Sequence, residues 1–285
     1  MTEGFAGWKA LIDLALAEDI GSGDLTTLST VPAGTMATGV MTAKSPGVIS
    51  GLDAAAYTLW RVDPRIEFRP KVEDGDAVVI GDVVAELSGP ARSILTGERT
   101  ALNLLQRLSG VATITAQFVA EIAGTGATIV DTRKTTPGLR ELEKAAVRHG
   151  GGHNHRFGLS DGVLIKDNHL AAIGGADRVT RAIAAARLRA PHTVRVEVEV
   201  TTLAEVGEAA VAGADIIMFD NMSNEMMKEA VRIVSKRAIT EASGGVRLDT
   251  VRKIAETGVD LISVGALTHS APSVDISLNF ALGDN

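Results

Sequence analysis

The 285-residue chain contains no cysteine. Disulfides, thiolate nucleophiles, iron–sulfur clusters and Cys-type zinc sites are therefore excluded. Aromatic residues are scarce, with 2 Trp, 1 Tyr and 6 Phe. The core must be aliphatic, and the stacking platforms used to bind single-stranded nucleic acid are in short supply. Positive charge is short as well: 28 Lys and Arg stand against 35 Asp and Glu, a net charge of −7, whereas duplex binders need a cationic face. No long apolar run is present. The longest uncharged stretch, residues 25–43, carries seven Ser or Thr together with Pro32, Gly34 and Gly39, which does not suit a membrane span. The first ten residues, MTEGFAGWKA, lack the basic-then-apolar layout of a secretory signal. The expectation is a soluble, cytoplasmic protein that binds neither nucleic acid nor membrane.

The patterns that are present change along the chain. Trp8, Leu11, Ile12, Ala15 and Leu16 fall at helical spacing, with Gly21 placed to end that helix. Short apolar runs follow, AKSPGVISG and IEFRPKVEDGDAVVIGDVVAEL, with Asp74-Gly75 and Gly81-Asp82 as turn formers between strands. This stretch has the look of a swinging-arm domain that carries biotin or lipoyl. Such a domain needs a lysine at a hairpin tip, and these tips are Asp-Gly and Gly-Asp. A long helical pattern then covers about 98–121. Beyond it, β-rich runs at 127–131, 162–166, 193–199, 214–220, 238–242 and 259–264 alternate with helical segments, most of them Ala-rich, which predicts a parallel sheet.

Asp131, Lys166, Glu199, Asp220 and Glu241 stand at or beside the C-terminal ends of these strands, the last three 21 residues apart. An open doubly wound sheet gathers its ligands at one switch point. Charge at nearly every strand end suits a barrel whose mouth is ringed by βα loops. The expected fold is α/β: an incomplete TIM-like α/β barrel of about six parallel strands with an N-terminal α+β sandwich domain, the open sheet being the alternative. The expected segments are 1–108 for the first domain, 109–271 for the barrel, and 272–285 as a tail returning to the first domain.

Residues 131–169 are the densest in chemistry, with four of the six histidines and seven Lys or Arg against five acids. A local positive excess in an acidic protein suggests an anion pocket. Arg140, Glu141, Glu143 and Lys144 are read as a solvated helix face with i,i+4 pairing. Arg133, Lys134, Asn154, His155, Arg156 and Lys166 flank glycines or end a strand and fit that reading less well. A zinc site at His149, His153 and His155 is disfavoured by the glycines between them and by the charge of Arg156. Lys166 as a Schiff-base lysine would leave the arginines without a task. The glycine-bearing segments SGGV (243–246) and GALTHS (265–270) follow the last two strands, where barrels bind phosphate. Glu199 and Asp220 between them could hold ribose hydroxyls, hold Mg²⁺ or stabilise a cationic sugar; buried structural carboxylates are the alternative.

DTRKTTPGLR (131–140), RHGGGHNHR (148–156), LIKDNH (164–169), EVE (197–199), IMFDN (217–221), EASGG (241–245) and ISVGALTHS (262–270) together resemble the quinolinate phosphoribosyltransferase family. GDLTT (23–27) and ERTALN (98–103) extend the resemblance over essentially the whole chain. It implies that quinolinate and phosphoribosyl pyrophosphate give nicotinate mononucleotide, pyrophosphate and CO₂, a step of de novo NAD synthesis. By that resemblance Arg99, Arg133, His155, Arg156 and Lys166 receive the quinolinate carboxylates, and Lys134 helps with pyrophosphate. Glu199 and Asp220 serve the ribose and the metal. Ser243, Gly244 and Gly245, with Val264, Gly265 and Ala266, hold the 5′-phosphate, and Thr132 and Glu241 complete the binding set. Lys134, Lys166, Glu199 and Asp220 are the implied catalytic residues.

Mg²⁺, held through the substrate near Glu199 and Asp220, is the implied cofactor, with no organic one. The resemblance also implies a homodimer whose sites are shared through Arg99, with a hexamer of dimers as a further assembly. A dianionic substrate meeting a highly anionic one needs several cations, and arginine forks match carboxylates. The rival readings are a nicotinate phosphoribosyltransferase without decarboxylation and a non-catalytic pyridine or phosphate sensor.

Overall fold

The computed structural model describes residues 7–282. Residues 1–6 and 283–285, the outer ends of the expected first and last segments, lie outside the described residues. In chain order the elements are α1 (Gly7–Ile20), α2 (Leu25–Thr30), β1 (Met36–Ala43), β2 (Gly47–Val48), α3 (Leu52–Val62), β3 (Glu67–Pro70), β4 (Ala77–Val78), β5 (Val83–Pro90) and α4 (Ala91–Glu121). They continue as β6 (Thr128–Val130), α5 (Arg140–His149), β7 (Val163–Ile165), α6 (Asp167–Ile173), α7 (Arg178–Arg189), β8 (Val196–Val200), α8 (Leu203–Ala212) and β9 (Ile216–Asp220). The last are α9 (Asn224–Val234), β10 (Ile239–Ser243), α10 (Leu248–Ala255), β11 (Leu261–Ser263), α11 (Ala266–His269) and β12 (Ile276–Leu282).

The chain forms two compact units. One comprises residues 1–116, 135–151 and 267–285, the other 117–134 and 152–266. They are not sequential blocks, because the excursion carrying α5 and the C-terminal segment both belong with the N-terminal elements.

In the first unit four antiparallel strands lie in the order β12-β1-β5-β3. Met41, Leu59, Leu87, Ile94, Leu102 and Leu105 form the centre of its core. Each such side chain contributes about 1.5–3 kcal/mol by burial. Ile12 and Leu16 are the buried residues of α1, and Gly21, at φ +52°, follows its last turn. Helix α4 begins at Ala91, seven residues before the expected start. The added turns contain Gly97, where a Cβ would stand 3.1 Å from Leu59 and 3.2 Å from Val62 of α3. Glycine here permits close helix packing instead of ending a helix.

The expectation of a solvated face on α5 is corrected for Glu143 and Lys144, which are 0% and 2% exposed. The Arg107 Nη2 of α4 donates to Glu143 Oε1 at 3.0 Å, and Glu143 also accepts from the Thr136 N–H and hydroxyl at 3.0 and 2.8 Å. A carboxylate so partnered tolerates burial.

In the second unit six parallel strands lie in the order β6-β11-β10-β9-β8-β7. The first strand in sequence thus sits beside the last, which is barrel order and not the order of a doubly wound sheet. Residue 153 adds a parallel bridge to Val130 at the β6 edge, where the His153 N–H donates to the Ile129 carbonyl at 2.9 Å. The connecting helices are locally specified. Thr202 and Ser223, for example, cap α8 and α9 by accepting from the N–H groups of Glu205 and Met226. No helix among the described residues is long and apolar enough to cross a membrane.

Candidate active site

The register of the parallel sheet places the charged residues. Leu164 pairs with Glu197, Glu199 with Met218, and Met218 with Glu241. Because side chains alternate along a strand, Glu197, Glu199, Met218, Asp220, Glu241 and Ser243 all lie on one face of the sheet, with Lys166 continuing the same alternation past Leu164. Glu199 and Asp220 lie near the C-terminal ends of their strands and are partly exposed. Glu241 sits in the middle of β10 and is 0% exposed.

Lys166 stands at the N-terminus of α6, where its N–H donates to His169 Nδ1 at 2.8 Å. Its Nζ is 3.0 Å from Glu199 Oε2. The buried Asp131, directly after β6, accepts from Asn154 Nδ2 at 2.7 Å and from the His155 N–H at 2.8 Å. This fixes the glycine-rich segment that carries His155 and Arg156. Arg156 Nη1 donates to the Gly162 carbonyl at 3.0 Å. Burial first, and the neighbouring Arg133 second, hold the Arg156 guanidinium below its usual pKa. Arg133 Nε is buried without a hydrogen-bond partner among the described residues. Two guanidinium groups that disfavour each other, one with an unmet donor, form a place where an anion is strongly favoured. Thr132 accepts from the Lys134 N–H at 3.0 Å, and Lys134 is exposed.

The phosphate-loop candidates follow neighbouring strands. Asn221 adopts φ +53°, donates its N–H to the Ser243 carbonyl at 2.9 Å and its Nδ2 to Asp220 Oδ2 at 2.8 Å. A Cβ on Gly244, at φ +93°, would stand 2.2 Å from Asn221 Oδ1, and Gly245 has φ +59°. Both glycines are therefore required by backbone geometry, Gly244 also by space. Val264 is buried, its N–H donating to the Val130 carbonyl at 2.9 Å, and Gly265 and Ala266 lead into α11.

Of the expected residues, Thr132, Arg133, Lys134, His155, Arg156, Lys166, Glu199, Asp220, Glu241, Ser243–Gly245 and Val264–Ala266 all belong to the barrel unit. Arg99 belongs to the other unit and is exposed on α4. The histidines considered for zinc have separate partners. His149 Nδ1 lies 2.8 Å from Ser50 Oγ in the first unit, and His155 Nε2 lies 3.0 Å from Glu197 Oε2 in the second. Asp131 and Asn154, noted in the sequence at a strand end and beside His155 but given no site role, complete the arrangement together with Glu197 and Asn221, which were not singled out. For Glu197 the signal was available, since VEVEV puts both glutamates on one face.

These features define an α/β barrel whose strand ends bring together a crowded arginine pair, paired carboxylates and two glycine-bearing loops. Two family descriptions cover nearly all of the chain: "Quinolinate phosphoribosyl transferase, N-terminal domain" matches residues 24–109 and the corresponding C-terminal domain matches 111–279. The chain belongs to the quinolinate phosphoribosyltransferase family and is a pentosyltransferase. It is 45% identical over 276 residues to the "Probable nicotinate-nucleotide pyrophosphorylase (carboxylating)" of Bacillus subtilis, covering 97% of this chain and 94% of that one. It is also 45% identical over 281 residues to the nicotinate-nucleotide pyrophosphorylase (carboxylating) of Mycobacterium leprae, covering 96% and 98%. The crystal structure of NadC from Streptococcus pyogenes superposes with a TM-score of 0.90 at 43% identity, covering 95% and 96% of the two chains.

Proposed function

We propose that the barrel mouth carries out phosphoribosyl transfer from phosphoribosyl pyrophosphate to quinolinate with loss of CO₂, giving nicotinate mononucleotide. The observation that carries this reading is the crowding of Arg133 and Arg156, with the buried Arg133 Nε unmet. A single carboxylate needs one fork, whereas a dianion uses several cations. Arg133, Arg156 and Lys166, with His155, receive the two carboxylates and orient the ring nitrogen toward the sugar. Lys134 meets the pyrophosphate, and the 243–245 and 264–266 loops hold the 5′-phosphate through backbone N–H groups. Thr132 orders the loop around Lys134.

The ring nitrogen displaces pyrophosphate from C1 of the ribose, and Glu199 and Asp220 stabilise the positive charge that grows on the sugar. The alkylated ring is a pyridinium. It accepts the electron pair left on C2 as the C2 carboxylate departs as CO₂, and a proton then takes that carboxylate's place. No organic electron sink is needed. Asp220 and Glu199 supply hard oxygen atoms suited to magnesium held mainly by the substrate's own oxygens, and bound there it would neutralise pyrophosphate charge.

The same reading includes a cytoplasmic location and a homodimer in which the exposed Arg99 completes the partner chain's pocket. Comparing quinolinate with nicotinate as acceptor tests it: pyrophosphate release should strongly prefer quinolinate, and equal or better use of nicotinate would overturn it.

A further inference from the structure

Inside the barrel unit two buried carboxyl groups face one imidazole. His155 Nε2 lies 3.0 Å from Glu197 Oε2 and 3.8 Å from Glu241 Oε2, and the side chains of Glu197 and Glu241 are 4% and 0% exposed. His155 Nδ1 accepts the Arg156 N–H at 2.7 Å. That nitrogen therefore carries no hydrogen, and the neutral ring has its one N–H at Nε2. Glu197 Oε1 and both oxygens of Glu241 are buried with no hydrogen-bond partner among the described residues. The nearby Ser263 hydroxyl donates to the Ala242 carbonyl at 3.3 Å. Two carboxyl groups thus have a single N–H between them, and the cluster is short of positive charge or of hydrogen.

Either a cation or a proton makes up that deficit. One potential ligand atom from each of the three residues lies within 4.8 Å of the others, a spacing a metal ion could use. A metal-bound imidazole, however, presents a bare nitrogen to the ion and donates its other N–H outward. Here the outer nitrogen is the acceptor, so the inner one is protonated and cannot ligate. A proton meets no such objection. Burial and the opposing Glu197 push the Glu241 carboxyl up to about 7, while His155, Ser263 and Lys166 pull the other way. Lys166 itself is paired with Glu199, and Met218, the residue of β9 in register with Glu241, is apolar.

We propose that Glu241 holds a proton, which makes it a positioning residue that leaves the His155 Nε2–H to Glu197 and limits the negative charge behind the quinolinate pocket. The proposal rests on the reading of that pocket given above. Loss of that proton adds a negative charge inside the barrel and weakens binding of a dianion, by roughly tenfold for a charge acting across a protein interior.

The test measures quinolinate affinity by calorimetry from pH 5.5 to 8.5 on the full chain, for the wild type and Glu241→Gln. Infrared spectra of the wild type over the same range follow its protonated carboxyl band. Wild-type affinity should fall roughly tenfold as pH rises through about 7, and the buried carboxyl band should disappear over the same interval. Glu241→Gln, a neutral isostere of the protonated acid, should abolish the pH dependence. An unchanged dependence in Glu241→Gln overturns the proposal, as does a wild-type spectrum with no such band. A divalent cation bound stoichiometrically in a manner lost with His155→Ala also overturns it. Should Glu241→Gln not fold, the wild-type spectrum alone decides. Absence of quinolinate binding at every pH would refute the pocket reading, whereas the infrared band still reports on the proton.

Discussion

Arg107 and Glu143 form an ion pair at 3.0 Å, the arginine side chain 25% exposed and the glutamate fully buried. Arg107 Nη1 also donates to the Ala271 carbonyl at 2.8 Å, and Nη2 to the Thr268 carbonyl. One guanidinium thus joins α4, α5 and the start of the C-terminal segment within the first unit. Removing Arg107 leaves the fully buried Glu143 charge without its ionic partner, a loss of about 3–5 kcal/mol. Arg107→Ala should therefore lower stability by about 3 kcal/mol or more in denaturant unfolding. A loss below about 1 kcal/mol, typical of an exposed pair, would show that the pair is not structural.

That pair also marks where the sequence stops being readable. Glu143 fits an i,i+4 surface pattern, and its partner lies 36 residues earlier on another helix, a relation no local pattern contains. The six parallel strands were legible because each is a short β-rich run beside a helical segment, and the structure puts each within three residues of its expected ends. The start of α4 was not, since Gly97 serves the packing of α3 and only the tertiary contact reveals it. In the site, strand ends marked Lys166, Glu199 and Asp220. The depth of Glu241 depends on its mid-strand position in β10, which residue spacing alone does not convey.

The crowded guanidinium groups set the next expectation. Lys166→Ala and Arg133→Ala should each reduce quinolinate turnover by about 100-fold or more, because each removes a charge-assisted contact to a substrate carboxylate. Steady-state kinetics with both substrates check this. Wild-type-like values in both variants would remove these residues from the pocket.

Gly244→Ala should impair phosphoribosyl pyrophosphate more than quinolinate. The new Cβ would strike Asn221, whose side chain donates to Asp220, and would strain a left-handed backbone. An increase of about tenfold in KM for phosphoribosyl pyrophosphate is expected, from a cost of about 1–3 kcal/mol. A defect confined to quinolinate would reverse the map of the site.

Stability should also depend on Glu241. Its carboxyl is raised from 4.5 to about 7 by burial and by Glu197. Between these values the folded protein holds a proton that the unfolded chain has released, so this group's contribution falls as pH rises across that window and is fully present below it. Urea unfolding from pH 4.5 to 7.5 should show a decline with rising pH that Glu241→Gln lacks. Parallel curves for the two proteins would contradict this.

Mixing variants tests the shared site. Arg99→Ala and Lys166→Ala are each expected to be nearly inactive. After subunit exchange at equal amounts, about half of the dimers should be mixed, each with one intact and one doubly defective site. Activity should recover to about a quarter of wild type by this symmetry count. No recovery, with exchange confirmed by mass, would mean that Arg99 does not serve the partner chain.

The most direct measurement follows both products of one turnover. Quinolinate labelled at the C2 carboxyl is supplied with phosphoribosyl pyrophosphate and magnesium, and labelled CO₂ and pyrophosphate are counted together. The account requires equal amounts of the two and nicotinate mononucleotide as the nucleotide product. Pyrophosphate without CO₂, or neither product from a folded protein, would contradict it.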